Sequence, residues 1–237
     1  MAKVSAPSDV ESIRIQLVRV LGEPDAEGRI PGNAKWGAYC FYDYDGEPIY
    51  VGQTSEQLRV RIRRHLTNQR TDAVAMNVLD PFEVCWVEMW PLWEFEGVNS
   101  KSDAFSFKAA IQHLNALEHT VFEHVLGKSA LGAVLNEADV AIQDPVELPV
   151  SHRGCIIPSG IYEERKHSDV RIARRASTIA ALAKVISERE VSSGLRRTLV
   201  TQARRLEMLA SRRFNEAIGA TPVPTELPGE ETGESLK

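Results

Sequence analysis

The stretch GAYCFYDYDGEPIYVGQ, Gly37 to Gln53, sets a Gly-x-Tyr and a Tyr-x-Gly on either side of a polar turn. Asp45-Gly46 is a hairpin signal. The flanking runs, near Ala38–Tyr44 and Pro48–Gly52, carry the aromatic and branched residues that strands favour. A hairpin needs alternation and a turn; it does not need a tyrosine at both ends. Tyr39 and Tyr50 end adjacent strands, so both phenols can approach one spot. Taken singly, each reads as strand packing.

Working outward, Val10, Ile13, Leu17, Val20 and Leu21 recur at helical spacing and predict a short amphipathic helix ending at Gly22. Residues 23–35, with two prolines and two glycines, read as a loop. Thr54, with Gln57 three residues on, predicts a capping box opening a helix that runs to about Thr67. A short helix is expected near Asp72–Leu79, and FEVCWVEMW (82–90) reads as a third strand. SDAFSFKAAIQHLNALEHTVFEHVLG predicts a long helix capped by Ser102 or Asp103 and closed by Gly127. Two more amphipathic helices are expected near Asp169–Arg189 and Gly194–Ala217, joined at Ser192-Ser193-Gly194. The Pro/Gly/Glu-rich end reads as disordered. The expected division is an N-terminal helix and loop (1–35), a central domain (36–142), a linker (143–168), a basic helical hairpin (169–218) and a tail (219–237).

The chain has 237 residues, of which 43% are apolar, ample for a core. No apolar run approaches a membrane span, and the N-terminus carries no secretory pattern, so a cytoplasmic protein is expected. Cys40, Cys85 and Cys155 are odd in number and widely spaced, and read as reduced thiols, with Cys40 and Cys85 packing on strands. His152-x-x-Cys155 lacks the second pair that a zinc site needs. The net charge of −5 argues against an indiscriminate polyanion binder, yet it hides an asymmetry. From Ser151 to Glu216, fourteen basic residues face seven acidic ones, a local bias that weighs more on partner choice than the total.

These residues together resemble the GIY-YIG nuclease superfamily. The resemblance starts at Gly37-Ala38-Tyr39, passes through Tyr50-Val51-Gly52, and reaches an Arg-x-x-x-His helix at Arg61 and His65. It ends at Glu118 and Asn136. Either half-motif is weak alone; five elements in order are not. The resemblance implies an α+β module with a three-stranded antiparallel sheet and flanking helices, here followed by a C-terminal α-helical hairpin. It implies a DNA endonuclease in which Tyr39, Tyr50, Arg61, His65, Glu118 and Asn136 form the catalytic site. Glu118 would be the one protein ligand of Mg²⁺ or Mn²⁺. Arg61 would hold the scissile phosphate, Tyr39 would act as base or orient water with Tyr50 and His65 assisting, and Asn136 would brace the site or touch phosphate. The chain departs from the pattern at Ala38 and Val51, which is harmless if both side chains point into the core. Its turn is acidic, with Asp43, Asp45 and Glu47, and lacks the lysine that assists the base in some relatives.

Arg63 and Arg64 extend the basic face of the Arg61 helix and are expected to contact DNA, although such a face by itself reads as a solvated surface. On the last helix, Arg197, Arg204, Arg205 and Arg212 share one arc at 100° per residue, with Leu195, Leu199, Leu206 and Ala210 opposite. One reading makes that arc a clamp on phosphates; another makes it an ordinary wet face; a third makes the hairpin a homodimer contact. The function expected is a divalent-metal-dependent DNA endonuclease. A restriction or defence role, a repair or mobile-element role, and a non-cleaving nucleic-acid-binding scaffold remain open.

Overall fold

The computed structural model describes residues 7–67, 80–101, 103–136 and 140–219. The expected short helix near 72–79, the Ser102 cap and nearly all of the expected tail lie outside them. The quoted stretch forms the hairpin β1 (Gly37–Tyr42) and β2 (Pro48–Thr54). Its turn closes through Gly46, whose φ of 79° is the left-handed conformation that glycine adopts without strain. β1 pairs antiparallel with β2 on one side and with β3 (Trp86–Pro91) on the other. The fold is therefore α+β, as the resemblance implies, but the sheet has four strands rather than three. β4 (His152–Cys155) adds to β3, giving the order β2-β1-β3-β4.

Alternation along β1 divides the core in two. Tyr39 and Phe41 face a layer made with Leu17, Leu58, Ile62, Met89, Leu182 and Leu195. That layer is supplied by α1 (Ser8–Val20), α2 (Leu58–Leu66), α5 (Ser168–Glu188) and α6 (Ser193–Ala217). Ala38, Cys40 and Val51 face Leu114, Leu117 and Val121 of α3 (Ala104–Leu126). Ala38 and Val51 are fully buried, so the two departures from the motif fall where any small or branched apolar side chain packs.

Several boundaries differ from expectation. Thr54 ends β2 instead of capping a helix; its hydroxyl accepts from the Glu56 N–H, and α2 starts at Leu58. No side chain caps α2, because the Leu58 N–H is taken by the Ala34 carbonyl at 2.9 Å. Asp103 does cap α3, accepting from the Ser106 N–H. Residues 81–83 form a 3-10 turn ahead of β3, so Cys85 precedes the strand and Cys40 lies on one. All three thiols are free. Within the stretch expected as a linker, β4 is followed by α4 (Ser159–Lys166). No described helix is long and apolar enough to cross a membrane.

Candidate active site

The two glycines of the opening motif have different jobs, each set by a neighbour. At Gly37 a Cβ would sit 2.5 Å from the Trp90 carbonyl oxygen, so the glycine lets β3 approach. Gly52 lies opposite Tyr39 in the ladder. A Cβ there would come within 2.7 Å of the Tyr39 hydroxyl and 2.9 Å of the Tyr50 ring. Tyr39 thus lies across its own partner strand, and Gly52 is the space it occupies.

Four rings gather on that face. Tyr39 meets His65 edge-on with centroids 5.8 Å apart, and Tyr50 lies 5.0 Å from His65 and 6.3 Å from Tyr39. Phe41 packs against Tyr39 at 5.3 Å. Tyr39 is fully buried and His65 nearly so. α2 delivers His65 into this cluster and turns Arg64 to its shoulder. There Glu56 grips the Arg64 guanidinium through contacts of 2.8 Å. Glu56, with the nearby Tyr39 phenol adding to its field, holds Arg64 more firmly charged than usual.

Arg61, one helical turn before His65, borders a cavity of about 360 Å³ with Gln53, Thr54, Glu56, Leu114 and Asn115. Its Nε is buried with no acceptor among the described residues. Glu118 approaches from α3, on the other face of the sheet. Burial pushes its carboxyl up to about 7, against the opposing pull of Arg61 and of the Gln53 amide. The site therefore wraps around the edge strand β2, with phenols and imidazole on one face and the carboxylate on the other. Arg61, one turn before His65 on α2, lies at that edge with its cavity on the α3 side.

Asn136 braces the edge strand. Its Oδ1 accepts from the Val51 N–H at 3.1 Å and its Nδ2 donates to the Val51 carbonyl at 2.9 Å. Both bonds fall on the residue between Tyr50 and Gly52.

Two participants were not read from the sequence. Gln53 donates to Asn115 Oδ1 at 2.8 Å, linking β2 to α3 just where Glu118 emerges. Asn115 stands three residues before Glu118, on the same helical face, and that spacing was the available signal. Gln53 Oε1 is buried with no donor among the described residues. A lone carboxylate beside amide oxygens is a hard-oxygen environment that suits one divalent cation carrying most of its own waters. Among the described residues, no three His, Cys, Asp or Glu side chains group as a protein-built metal cage would require.

The expected basic surface is only partly where the sequence suggested. Arg63, Arg197 and Arg204 are exposed. Arg212 is engaged by Asp45 at 3.1 Å. Arg205 is 2% exposed and bonds Asp43 at 2.7 Å and the Pro48 carbonyl at 3.2 Å. The buried face of α6 runs through Leu195, Thr198, Gln202, Arg205 and Leu209. Arg205 thus lies on the packed side of the helix and is removed from the surface arc expected for it.

Residues 35–102 match the family model of the GIY-YIG catalytic domain, a span that holds Tyr39, Tyr50, Arg61 and His65. Neither a curated relative nor a solved structure matches the chain. The antiparallel sheet and the paired tyrosines on one hairpin agree with this match, which identifies a GIY-YIG catalytic domain within residues 35–102 of the chain.

Proposed function

We propose that the protein is a divalent-metal-dependent DNA endonuclease that hydrolyses phosphodiester bonds. The observation that carries this reading is the Tyr39–Tyr50–His65 ring cluster on the edge hairpin, with Arg61 one helical turn before His65 and near enough to pull on the Glu118 carboxyl. Hydrolysis needs an oriented nucleophile, charge compensation on the non-bridging oxygens and a stabilised leaving oxygen. The orphaned, buried Nε of Arg61 suits it to bind a phosphate oxygen, and its fork favours two-point contact. The Tyr39 side chain, fixed by Gly52 and His65, orients the attacking water. As the phenolate that the field of Arg64 favours, it takes the water's proton while the new P–O bond forms and the opposite one breaks, the leaving oxygen being protonated from solvent. Tyr50 and His65 hold that phenol in line. Gln53 and Asn115 steady the Glu118 carboxylate, which would hold the cation. When bound, Mg²⁺ or Mn²⁺ supplies charge neutralisation and Lewis acidity at the phosphate.

One such site cuts one strand, so a double-strand break needs two chains or two successive nicks. A restriction or other defence role suits this reading, and a repair or mobile-element role suits it as well; the cutting pattern separates them. The test incubates purified protein with modified and unmodified duplex DNA, with Mg²⁺, Mn²⁺ or EDTA, and maps the ends. Cleavage should require the metal and vanish in Glu118→Ala while DNA binding persists. Arg61→Ala should slow cleavage by about 100- to 1,000-fold. Binding with no metal-dependent cutting in the unaltered protein would instead identify a non-cleaving scaffold.

A further inference from the structure

The arginines of the C-terminal helices are largely spoken for. Arg171, Arg175 and Arg205 bond Asp43, Arg174 bonds Asp80, Arg212 bonds Asp45 and Arg213 bonds Asp169. Beside the site the situation is reversed. A groove of about 470 Å³ lies between α1 and α2, walled by Arg14, Leu17 and Val18 from one helix and Val60, Arg63 and Arg64 from the other. Among the described residues, no carboxylate lines it. Arg14 and Arg63 are exposed, and neither forms an ion pair with any described residue. Val60, Arg63 and Arg64 are spaced three and four apart, so they share one face of α2, and the next residue, His65, enters the Tyr39–Tyr50 ring cluster. The Arg64 end of the groove therefore lies near the Tyr39 phenol, whose field Arg64 feels.

We propose that this groove holds the DNA backbone that flanks the scissile phosphate, with Arg14 and Arg63 each contacting one phosphate. The proposal rests on the nuclease reading above and extends it to α1, which lies outside the span matching the family model. A DNA strand alternates anionic phosphates with the apolar faces of its sugars. Two guanidinium groups with no ion-pair partner among the described residues and the half-exposed walls of Val18 and Val60 complement that alternation. Contacts of this kind set register and affinity without reading bases.

The test is fluorescence anisotropy with a short duplex in EDTA, so that the duplex stays intact, over a salt series from about 50 to 200 mM. Each phosphate contact contributes about 0.9 to the slope of log K against log[salt]. The double variant Arg14→Ala/Arg63→Ala should therefore flatten the slope by about 1.8 and weaken binding alike for all sequences. Arg19→Ala, on α1 but paired with Glu23 and facing away from the groove, should leave the slope unchanged. Matched melting curves establish that the variants fold. An unaltered slope in the double variant, or an equal loss in Arg19→Ala, overturns the groove while leaving the nuclease reading intact. A wild-type chain that binds no duplex at any salt concentration overturns both.

Discussion

Burial raises the Glu118 carboxyl to about 7 even though Arg61 and Gln53 both favour its charged form. A carboxylate placed in that position has a cost in the absence of a cation, because desolvation of the charge exceeds what its neighbours return. The sign of the pH dependence follows. Between the ordinary glutamate range and about 7, the folded chain binds more protons at this position than the unfolded one, so stability falls as pH rises through that window. Above about 7 both states are ionised and the penalty is constant. In EDTA, Glu118→Gln should therefore melt a few degrees higher than the unaltered protein at pH 8, with the gap closing toward pH 4.5. Added Mg²⁺ should raise the melting temperature of the unaltered protein at pH 8 and leave the Gln variant where it was. A gap that grows on acidification, or equal Mg²⁺ effects on both proteins, would mean that Glu118 is not the cation's ligand.

At the scale of elements, β2 is the edge of the sheet and carries half of the motif, so its open side needs cover. The segment before residue 137 provides it: the Leu135 N–H donates to the Ile49 carbonyl at 2.7 Å, and Asn136 takes both backbone groups of Val51. Asn136→Ala leaves those two groups without protein partners and should cost about 1–3 kcal/mol. Asn136→Asp keeps the acceptor, loses the donor and should fall between. Urea denaturation measures both, and a loss in Asp as large as that in Ala would show that the donor half matters most. How far such elements were legible depends on where their causes lie. β1, β2 and α3 are announced locally, by a turn dipeptide or a long run of helix formers. β4 is not, being four residues without alternation, and its Gly154 is demanded by α1, since a Cβ there would strike Val20 at 2.3 Å. Arg205 is hidden for the same reason. Helical periodicity sends an arginine to the wet face, and the acid that draws it inward is 162 residues away. The paired tyrosines were readable because a motif records them; Gln53 and Asn115 were not, because only the packing of α3 against β2 brings them together.

Across the whole molecule, the acidic turn and the basic C-terminal helices explain each other. Asp43, between the strands that bear Tyr39 and Tyr50, is 2% exposed and accepts from Arg175 at 2.9 Å and Arg205 at 2.7 Å. Arg171 bridges Asp43 and Asp45, and Arg175 also bonds Glu83 at 2.8 Å. Burial pushes the Arg205 guanidinium down and Asp43 acts against that shift. Buried ion pairs of this sort contribute little net stability, but they are costly to break one-sidedly. Their effect here is positional, since α5 and α6 hold the turn end of the β1–β2 hairpin. Asp43→Ala strands several guanidinium groups and should cost about 3–5 kcal/mol, read by chemical denaturation. The same variant decides between brace and clamp. A helical hairpin that served only to grip phosphate would gain free cations from the change, binding duplex more tightly with an unaltered turnover at saturation. A brace predicts the reverse: under conditions where the variant remains folded, cleavage at saturating duplex slows because Tyr39 and Tyr50 lose their fixed register, while affinity at low salt changes far less.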